Sequence, residues 1–310
     1  MDPITSPDGT PVSPLAFGTM QFGGRADPDE AALMYRACRE HGVTMFDTAP
    51  VYADGRAEEI LGRLIADDRD GLIVATKSDF TRGNGRTAIA ESCEASRTRL
   101  GIDRIDLFYL HRFDPETPLP ESFEALATLK SRGHIRRIGV SNFAAWQVMK
   151  AQAAATAVGL RIDAIQPMLN LVKRQAEVEL LPMARDQGMS VFPYSPLGGG
   201  LLTGKYRAGM QGRLTEDDAY RRRYGEEWMH NTAADLKTIA LQYRTDPETL
   251  AVAWAMRRPG VTAPILGARS LEQLLPSLAA LSVRLDDALY ARITALGRSP
   301  ATATDRSEEA

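Results

Sequence analysis

The chain has few cysteines and few histidines for its length. Of its 310 residues, two are cysteine and four are histidine. Both cysteines, Cys38 and Cys93, fall inside helical patterns where a thiol acts as a small buried hydrophobe, so we expect no disulfide and a reducing compartment. The histidines, at positions 41, 111, 134 and 230, form no cluster of the kind that a metal-dependent barrel hydrolase needs. We therefore expect no metal site.

Long apolar runs and a strong charge of either sign are also missing. The formal net charge is −3, which gives no reason to expect nucleic acid or a membrane surface as a partner. No apolar stretch approaches the roughly 20 residues that span a bilayer. The first residues, Met1-Asp2-Pro3-Ile4, lack the basic-then-apolar pattern of a secretory signal, so we expect a cytoplasmic protein.

The apolar residues instead form a repeating pattern of strands and helices. Regular alternation produces right-handed parallel crossovers, and eight such units favour a closed (β/α)8 barrel, with an open doubly wound sheet as the alternative. No linker divides the chain, so we expect one domain over residues 1–298 and a disordered tail over 299–310. The predicted strands are 15–19, 44–47, 72–77, 105–111, 135–140, 163–167, 190–194 and 264–266.

Three features depart from the simple repeat. A short segment precedes the first strand, and two extra helices are predicted near 228–243 and 248–258, before the last strand. The segment between Pro196 and Tyr224, after the seventh strand, has too many glycines for regular structure. Because function concentrates in loops on such a scaffold, we expect that segment to fold over a ligand.

Four polar residues stand at or just past the ends of predicted strands two to four. They are Asp47, Tyr52, Lys77 and His111, and in a closed barrel they would be neighbours on the rim at the carboxyl ends of the strands. An ammonium beside a phenol lowers the pKa of the phenol, and Asp47 would keep Lys77 protonated. His111 could orient a carbonyl oxygen, so the group suits proton transfer coupled to hydride transfer.

Two other chemistries fit the sequence poorly. A barrel glycosidase needs two carboxylates on the rim, whereas the fourth strand ends in His111 and the seventh in Tyr194. A Rossmann-type dinucleotide site needs a Gly-x-Gly-x-x-Gly fingerprint after the first strand, and the sequence has none there.

The segment Phe46-Asp47-Thr48-Ala49-Pro50-Val51-Tyr52, followed by Glu58-Glu59-Ile60-Leu61-Gly62, resembles the signature of the aldo-keto reductase family. Further similar segments follow in the family's order: Ala75-Thr76-Lys77, Asp106-Leu107-Phe108-Tyr109-Leu110-His111, Ile138-Gly139-Val140-Ser141-Asn142-Phe143, Tyr194-Ser195-Pro196-Leu197-Gly198 and Leu266-Gly267-Ala268-Arg269-Ser270. The resemblance implies a (β/α)8 barrel that uses NADP(H) on a small carbonyl substrate. It also implies that Tyr52 is the general acid, assisted by Asp47, Lys77 and His111.

The resemblance also implies which residues contact the cofactor. Ser141, Asn142 and Gln166 match positions that hydrogen-bond the nicotinamide carboxamide, and Tyr194 matches the aromatic residue that stacks on its ring. The other implied contacts are Gly18, Thr19, Met20 and Asp47 beside the cofactor, Ser195, Leu197, Gly198, Gly200 and Lys205 around the pyrophosphate, and Gly267, Arg269 and Gln273 near the 2′-phosphate.

The sequence departs from the family pattern near the adenine site. Many members have Glu-Asn one turn after Gln273, whereas this chain has Pro276 and Ser277, so we expect a looser or rearranged adenine site. The family also includes potassium-channel β-subunits, so a non-catalytic subunit that binds NADPH and senses it is the alternative function. The carbonyl substrate, the direction of the reaction and self-association stay open.

Overall fold

Eight short parallel strands lie at the centre of the molecule. The computed structural model describes residues 3–304. Around the sheet, the strands follow the order seven, six, five, four, three, two, one, eight. Their bounds are β1 (Ala16–Gly18), β2 (Met45–Asp47), β3 (Ile73–Lys77), β4 (Ile105–Leu110), β5 (Ile135–Ser141), β6 (Ala164–Gln166), β7 (Ser190–Val191) and β8 (Ile265–Leu266).

The first and last strands of this order meet. Just beyond β7, Tyr194 forms a parallel bridge with Ile265 of β8, and the N–H of Ile265 donates to the carbonyl oxygen of Pro193 at 2.8 Å. These contacts close the sheet on itself. The fold is therefore the predicted (β/α)8 barrel and not the open doubly wound sheet.

Helices surround the barrel, and their ends carry the expected signals. Asp27 accepts a hydrogen bond from the N–H of Glu30 at the first helix, and Gly101 ends the third in a left-handed conformation with φ of 64°. The helices are α1 (Pro28–Glu40), α2 (Arg56–Ile65), α3 (Arg86–Leu100), α4 (Leu119–Ser131), α5 (Ala145–Ala157), α6 (Leu180–Asp186), α7 (Arg213–Glu216), α8 (Asp218–Tyr224), α9 (Glu227–Gln242), α10 (Pro247–Arg257), α11 (Leu271–Leu278) and α12 (Asp287–Thr294).

The barrel interior is apolar and is sealed at the amino-terminal end of the strands. Met45, Ile73 and Leu107 are fully buried inside it. Ile4 joins the same cluster from a short N-terminal hairpin in which Thr5 pairs with Pro11. This hairpin leaves the carboxyl ends of the strands as the open end of the barrel.

Two sequence predictions are corrected by the fold, and part of a third cannot be compared with it. The segment after β7 is not wholly irregular, because α7 and α8 form within it. A helix that was not predicted, α12, follows the last βα unit and begins at Asp286, whose carboxylate accepts from the N–H of Leu289. Of the predicted tail, residues 305–310 lie outside the described residues.

Cys38 and Cys93 are free and buried, in α1 and α3, as their helical patterns predict. Among the helices of residues 3–304, none combines the length and the apolar character that crossing a membrane requires.

Candidate active site

The four predicted polar residues lie together on the open rim of the barrel. Asp47 and Lys77 are the last residues of the adjacent strands β2 and β3, and His111 directly follows β4. Lys77 Nζ lies 2.5 Å from Asp47 Oδ1 and 5.2 Å from the centroid of the Tyr52 ring. The Tyr52 and His111 ring centroids are 6.3 Å apart, with the rings at 87°.

Lys77 is a charged side chain with no exposure to solvent. Its ammonium donates to Asp47 and to the carbonyl oxygen of Thr48, at 2.5 and 2.8 Å. Burial lowers the pKa of Lys77, but the Asp47 carboxylate and the Tyr52 phenol outweigh it, and the pKa is raised. The site therefore holds a permanent positive charge next to the phenol.

Tyr52 keeps its proton in this structure. Burial raises the pKa of the phenol, and Asp47 adds to that rise, while Lys77 lowers the pKa as predicted. The net direction is upward because desolvation of the phenolate outweighs the attraction of the ammonium. Lys77 therefore lowers the pKa as expected but does not outweigh burial, and Tyr52 is a protonated donor at neutral pH.

His111 is neutral. Burial lowers the pKa of its imidazole to about 3, and the positive charges of Lys77 and Arg112 act in the same direction. Its Nδ1 is buried and has no hydrogen-bond partner within residues 3–304. Phe80 meets the ring edge-on, with centroids 5.1 Å apart. A neutral imidazole held in this way can offer one N–H to a ligand oxygen.

A strained turn directly after Tyr52 holds its ring next to Lys77. Immediately after the tyrosine, Ala53 and Asp54 adopt left-handed conformations with φ of 49° and 56°, which non-glycine residues seldom adopt without compensation from their surroundings. The following helix α2 is tied to β3 by the buried Glu58, which accepts from Thr76 Oγ1 and Arg99 Nε, both at 2.6 Å. Because Thr76 directly precedes Lys77, the hydrogen bonds of Glu58 hold the turn that follows Tyr52 next to Lys77.

The residues predicted to hold the nicotinamide carboxamide are joined by hydrogen bonds to the Lys77–Asp47 pair. Gln166, at the end of β6, donates from Nε2 to Asp47 Oδ2 at 2.8 Å. Ser141, at the end of β5, donates to the Gln166 backbone oxygen at 3.1 Å and lies 3.2 Å from its side-chain oxygen. One hydrogen-bonded network therefore runs from Lys77 through Asp47 to β5 and β6.

Asn142 and Tyr194 extend this network over the rim. Asn142 Nδ2 donates to the backbone oxygen of His111 at 3.0 Å, and Tyr194 donates to Asn142 Oδ1 at 2.7 Å. Asn142 has a φ of 59°, a conformation that asparagine tolerates better than most residues. The predicted stacking aromatic is thus fixed beside the predicted carboxamide ligands.

The glycine-rich segment after β7 brings backbone close to a lysine amine. A Cβ built on Gly200 would lie 3.3 Å from Lys205 Cε, and one on Gly212 would lie 2.9 Å from Lys205 Nζ. Burial, followed by repulsion from Arg269, lowers the pKa of Lys205. A half-buried amine whose charge is repelled by another cation favours an anionic ligand, so this donor set fits the phosphates of a dinucleotide.

The loop after β1 reaches the same side of the rim. The N–H of Thr19 donates to the backbone oxygen of Asp47 at 2.9 Å, and Met20 is 45% exposed. Arg213 of α7 approaches the Met20 sulfur at 3.9 Å. Together with Gly18 at the end of β1, these residues lie at the rim beside the glycine-rich segment.

The guanidinium of Arg269 is paired with a carboxylate that the sequence did not predict. Its Nη2 donates to Glu216 of α7 at 3.1 Å, and Arg25 lies 2.8 Å from the same oxygen. The N–H of Arg269 faces Gln273 Oε1 at 3.4 Å, just after Gly267 and β8. The acidic run Glu216-Asp217-Asp218, which stands between Arg213 and Arg221, is the sequence signal that could indicate such a pairing.

At the predicted adenine site, Ser277 is only 3% exposed, and the backbone oxygen of Pro276 accepts from Thr249 Oγ1 at 2.6 Å. Pro276 has no polar side chain and Ser277 is almost fully buried, so this pair differs from the Glu-Asn of many family members.

Comparison with known proteins agrees with this geometry. The model of the Aldo/keto reductase family matches residues 14–298. A probable voltage-gated potassium channel subunit beta from Arabidopsis thaliana is 33% identical, over 89% of each chain. The aldo-keto reductase YhdN of Bacillus subtilis is 33% identical, over 86% of this chain and 84% of its own. Aflatoxin B1 aldehyde reductase member 2 of Homo sapiens is 36% identical, over 85% and 80%.

This chain belongs to the aldo/keto reductase family, a class of oxidoreductases that use NAD(P)H and act on small carbonyl compounds.

Proposed function

We propose that this protein reduces an aldehyde or ketone to an alcohol with NADPH by direct hydride transfer. The observation that carries the proposal is the buried Lys77–Asp47 pair, 2.5 Å apart, next to the protonated Tyr52 and the neutral His111. This combination offers a proton where a carbonyl oxygen would become negative.

The chain's own residues divide the work at the carbonyl oxygen. Tyr52 donates its proton to that oxygen as the carbon becomes an alcohol carbon, and Lys77 stabilises the phenolate that remains. Asp47 keeps Lys77 charged and in place through the 2.5 Å contact. His111, uncharged at neutral pH, donates a hydrogen bond that orients the oxygen.

Other residues fit the cofactor, which supplies the hydride when bound. Ser141, Asn142 and Gln166 offer both donors and acceptors, as a carboxamide requires, and Tyr194 offers a ring fixed by its bond to Asn142. The remaining residues proposed to bind the cofactor are Gly18, Thr19, Met20, Asp47, Ser195, Leu197, Gly198, Gly200, Lys205, Gly267, Arg269 and Gln273.

A preference for NADPH over NADH follows from the cations near β8. Arg269 and Lys205 lie close enough for their charges to repel, and a 2′-phosphate would relieve that repulsion. The guanidinium fork of Arg269 also matches two phosphate oxygens.

Some relatives are described as probable potassium-channel β-subunits, so a sensor that binds NADPH without turnover is the second candidate. Stopped-flow mixing of the NADPH-loaded protein with a panel of aldehydes and ketones separates the two functions. A reductase oxidises the bound NADPH with at least one carbonyl compound. Tight NADPH binding with no oxidation across the panel would instead support the sensor.

A further inference from the structure

A second positive charge is held at the mouth of the proposed active site. Arg112 directly follows His111, and its Cζ lies 4.4 Å from the centroid of the Phe80 ring. Phe80 in turn packs edge-on against His111 at 5.1 Å. The backbone oxygen of Arg112 accepts from Asn84 Nδ2 at 2.9 Å. Both the backbone and the guanidinium are therefore positioned relative to the imidazole.

The guanidinium of Arg112 has donors to spare. Within residues 3–304, no carboxylate lies within 4 Å of it, and its N–H groups make no hydrogen bond to protein. The nearest acidic residue in sequence, Asp114, is engaged elsewhere, with Thr117 Oγ1 at 2.6 Å and the N–H of Asn84 at 2.9 Å. An arginine carries five N–H donors in a planar fork, so this one can bind a planar anion through two of them.

The charge of Arg112 reaches both sides of the proposed reaction centre. It adds to burial and to Lys77 in lowering the pKa of His111. It also opposes burial, together with Arg223, at Tyr194, whose pKa is raised. The charge of Arg112 is therefore felt both by the residue that would orient the carbonyl and by the ring that would face the nicotinamide.

We propose that Arg112 binds a carboxylate carried by the substrate, so that the preferred substrates are aldehydes or ketones with a carboxylate a short distance from the carbonyl group. The inference rests on the proposed reductase function and names its substrate class. Arg112 is exposed to solvent, and the stacked Phe80 ring restrains the rotamers of its guanidinium, which lowers the entropy that binding a carboxylate costs.

The three regioisomers of carboxybenzaldehyde measure this preference and the distance involved. Each acid is compared with its methyl ester, which keeps the aldehyde and the ring but removes the charge. For the wild-type protein we expect kcat/KM with NADPH to be about tenfold to a hundredfold higher for at least one acid than for its ester, as for a charged hydrogen bond. The ratio should fall as salt is added.

Substitutions then assign the preference to one residue. Arg112→Met should bring the acid-to-ester ratio close to one through KM, and Arg112→Lys should restore part of it. Arg132→Met is the matched control, because Arg132 is exposed at the far end of α4, and it should keep the wild-type ratio. Using a ratio removes any general effect of Arg112 on the chemical step.

Two results would overturn the inference: a wild-type ratio near one for all three isomers, or a ratio lost in Arg223→Met and kept in Arg112→Met. Benzoate and benzamide binding, measured by calorimetry on the NADP-loaded protein, tests the same contact without turnover. Tighter binding of benzoate that Arg112→Met removes supports the anion site even if the esters and acids are not reduced. Reduction of the esters with equal binding of benzoate and benzamide leaves the reductase function intact and rejects the anion site.

Discussion

At the amino-terminal end of the barrel, a buried carboxylate is surrounded by hydrogen-bond donors. At the carboxyl end, by contrast, a buried polar atom has no hydrogen-bond partner in the part of the chain that the structure describes. Asp106, 1% exposed, accepts from the N–H of Val74 at 2.9 Å and pairs with Arg69 and Arg136 at 2.7 and 3.3 Å. At the other end, within the described chain, the buried His111 Nδ1 has no hydrogen-bond partner, and the exposed Arg112 guanidinium makes no hydrogen bond to protein.

This difference between the two ends supports the carboxyl end as the place of the proposed chemistry. Buried charges that already have partners stabilise and orient the strands. A buried polar atom without a partner is unfavourable, and binding of a ligand can supply the missing hydrogen bond. The Lys77–Asp47 pair belongs to both types, because it is fully paired and also touches the phenol.

Removing Lys77 should have the largest effect. In Lys77→Met the buried Asp47 loses its cation and the phenolate loses its stabilising charge, so kcat should fall by roughly 10²–10⁴-fold. Steady-state NADPH oxidation with a carbonyl compound that the wild type reduces measures this fall in kcat. The control is Lys150→Met on the exposed surface of α5; equal activity in the two variants would contradict the role of Lys77.

Removing the charge of Asp106 should affect stability instead. Asp106→Asn leaves Arg69 and Arg136 without their carboxylate, and we expect a loss of about 3 kcal/mol in the free energy of unfolding. Urea denaturation measures the loss. Below the unfolding transition, kcat and KM should match the wild type, and a large fall in kcat with unchanged stability would remove the proposed division between the two ends.

Protonation of His111 should make folding sensitive to acid. Its pKa is about 3 in the folded protein against 6.5 for the free side chain, so the unfolded chain binds the extra proton between these values. The contribution of the neutral imidazole to the free energy of unfolding is therefore fully present above about pH 6.5, and it is lost as the pH falls toward 3. This residue should account for about 2 kcal/mol of the loss between pH 7 and pH 5.

Comparison of the wild type with His111→Gln tests how much of this acid-induced loss of stability comes from His111, because glutamine does not titrate. The variant should lose less stability than the wild type between pH 7 and pH 5. Parallel stability curves for the two proteins would show that the imidazole is not held neutral by the fold.

The contact between Arg269 and Glu216 should give the smallest effect. Arg269→Ala should weaken NADPH by about 1–2 kcal/mol, for a lost charged hydrogen bond, and NADH by less. Glu216→Gln should have the opposite sign for NADPH, because it frees the guanidinium. Fluorescence titration with both cofactors measures this, and an equal loss for NADPH and NADH in Arg269→Ala would place the 2′-phosphate elsewhere.

The strands and the neighbourhood of the four polar residues follow from local sequence. Buried parallel strands are apolar on both faces, so β2, β3 and β4 appear as short continuous runs. The fold rule that consecutive strands are adjacent then brings Asp47, Lys77 and His111 to one arc of the rim.

Other features depend on contacts that the sequence does not reveal. Glu216 and Arg25 form an ion pair although they are far apart in the sequence, so no local pattern links them. The sign of the Tyr52 shift depends on how deeply the ring is buried, which only packing determines. The helix α12 has few buried residues, Leu289 and Ile293, so its apolar stripe is too narrow to stand out.

The central claim is that the Tyr52 hydroxyl, with Lys77 5.2 Å from the ring centroid, gives the proton that accompanies hydride transfer. Single-turnover mixing of NADPH-loaded Tyr52→Phe with a carbonyl compound that the wild type reduces tests it most directly. The account predicts that NADPH binds with nearly unchanged affinity while its oxidation is abolished. Oxidation at the wild-type rate in this variant would contradict the account.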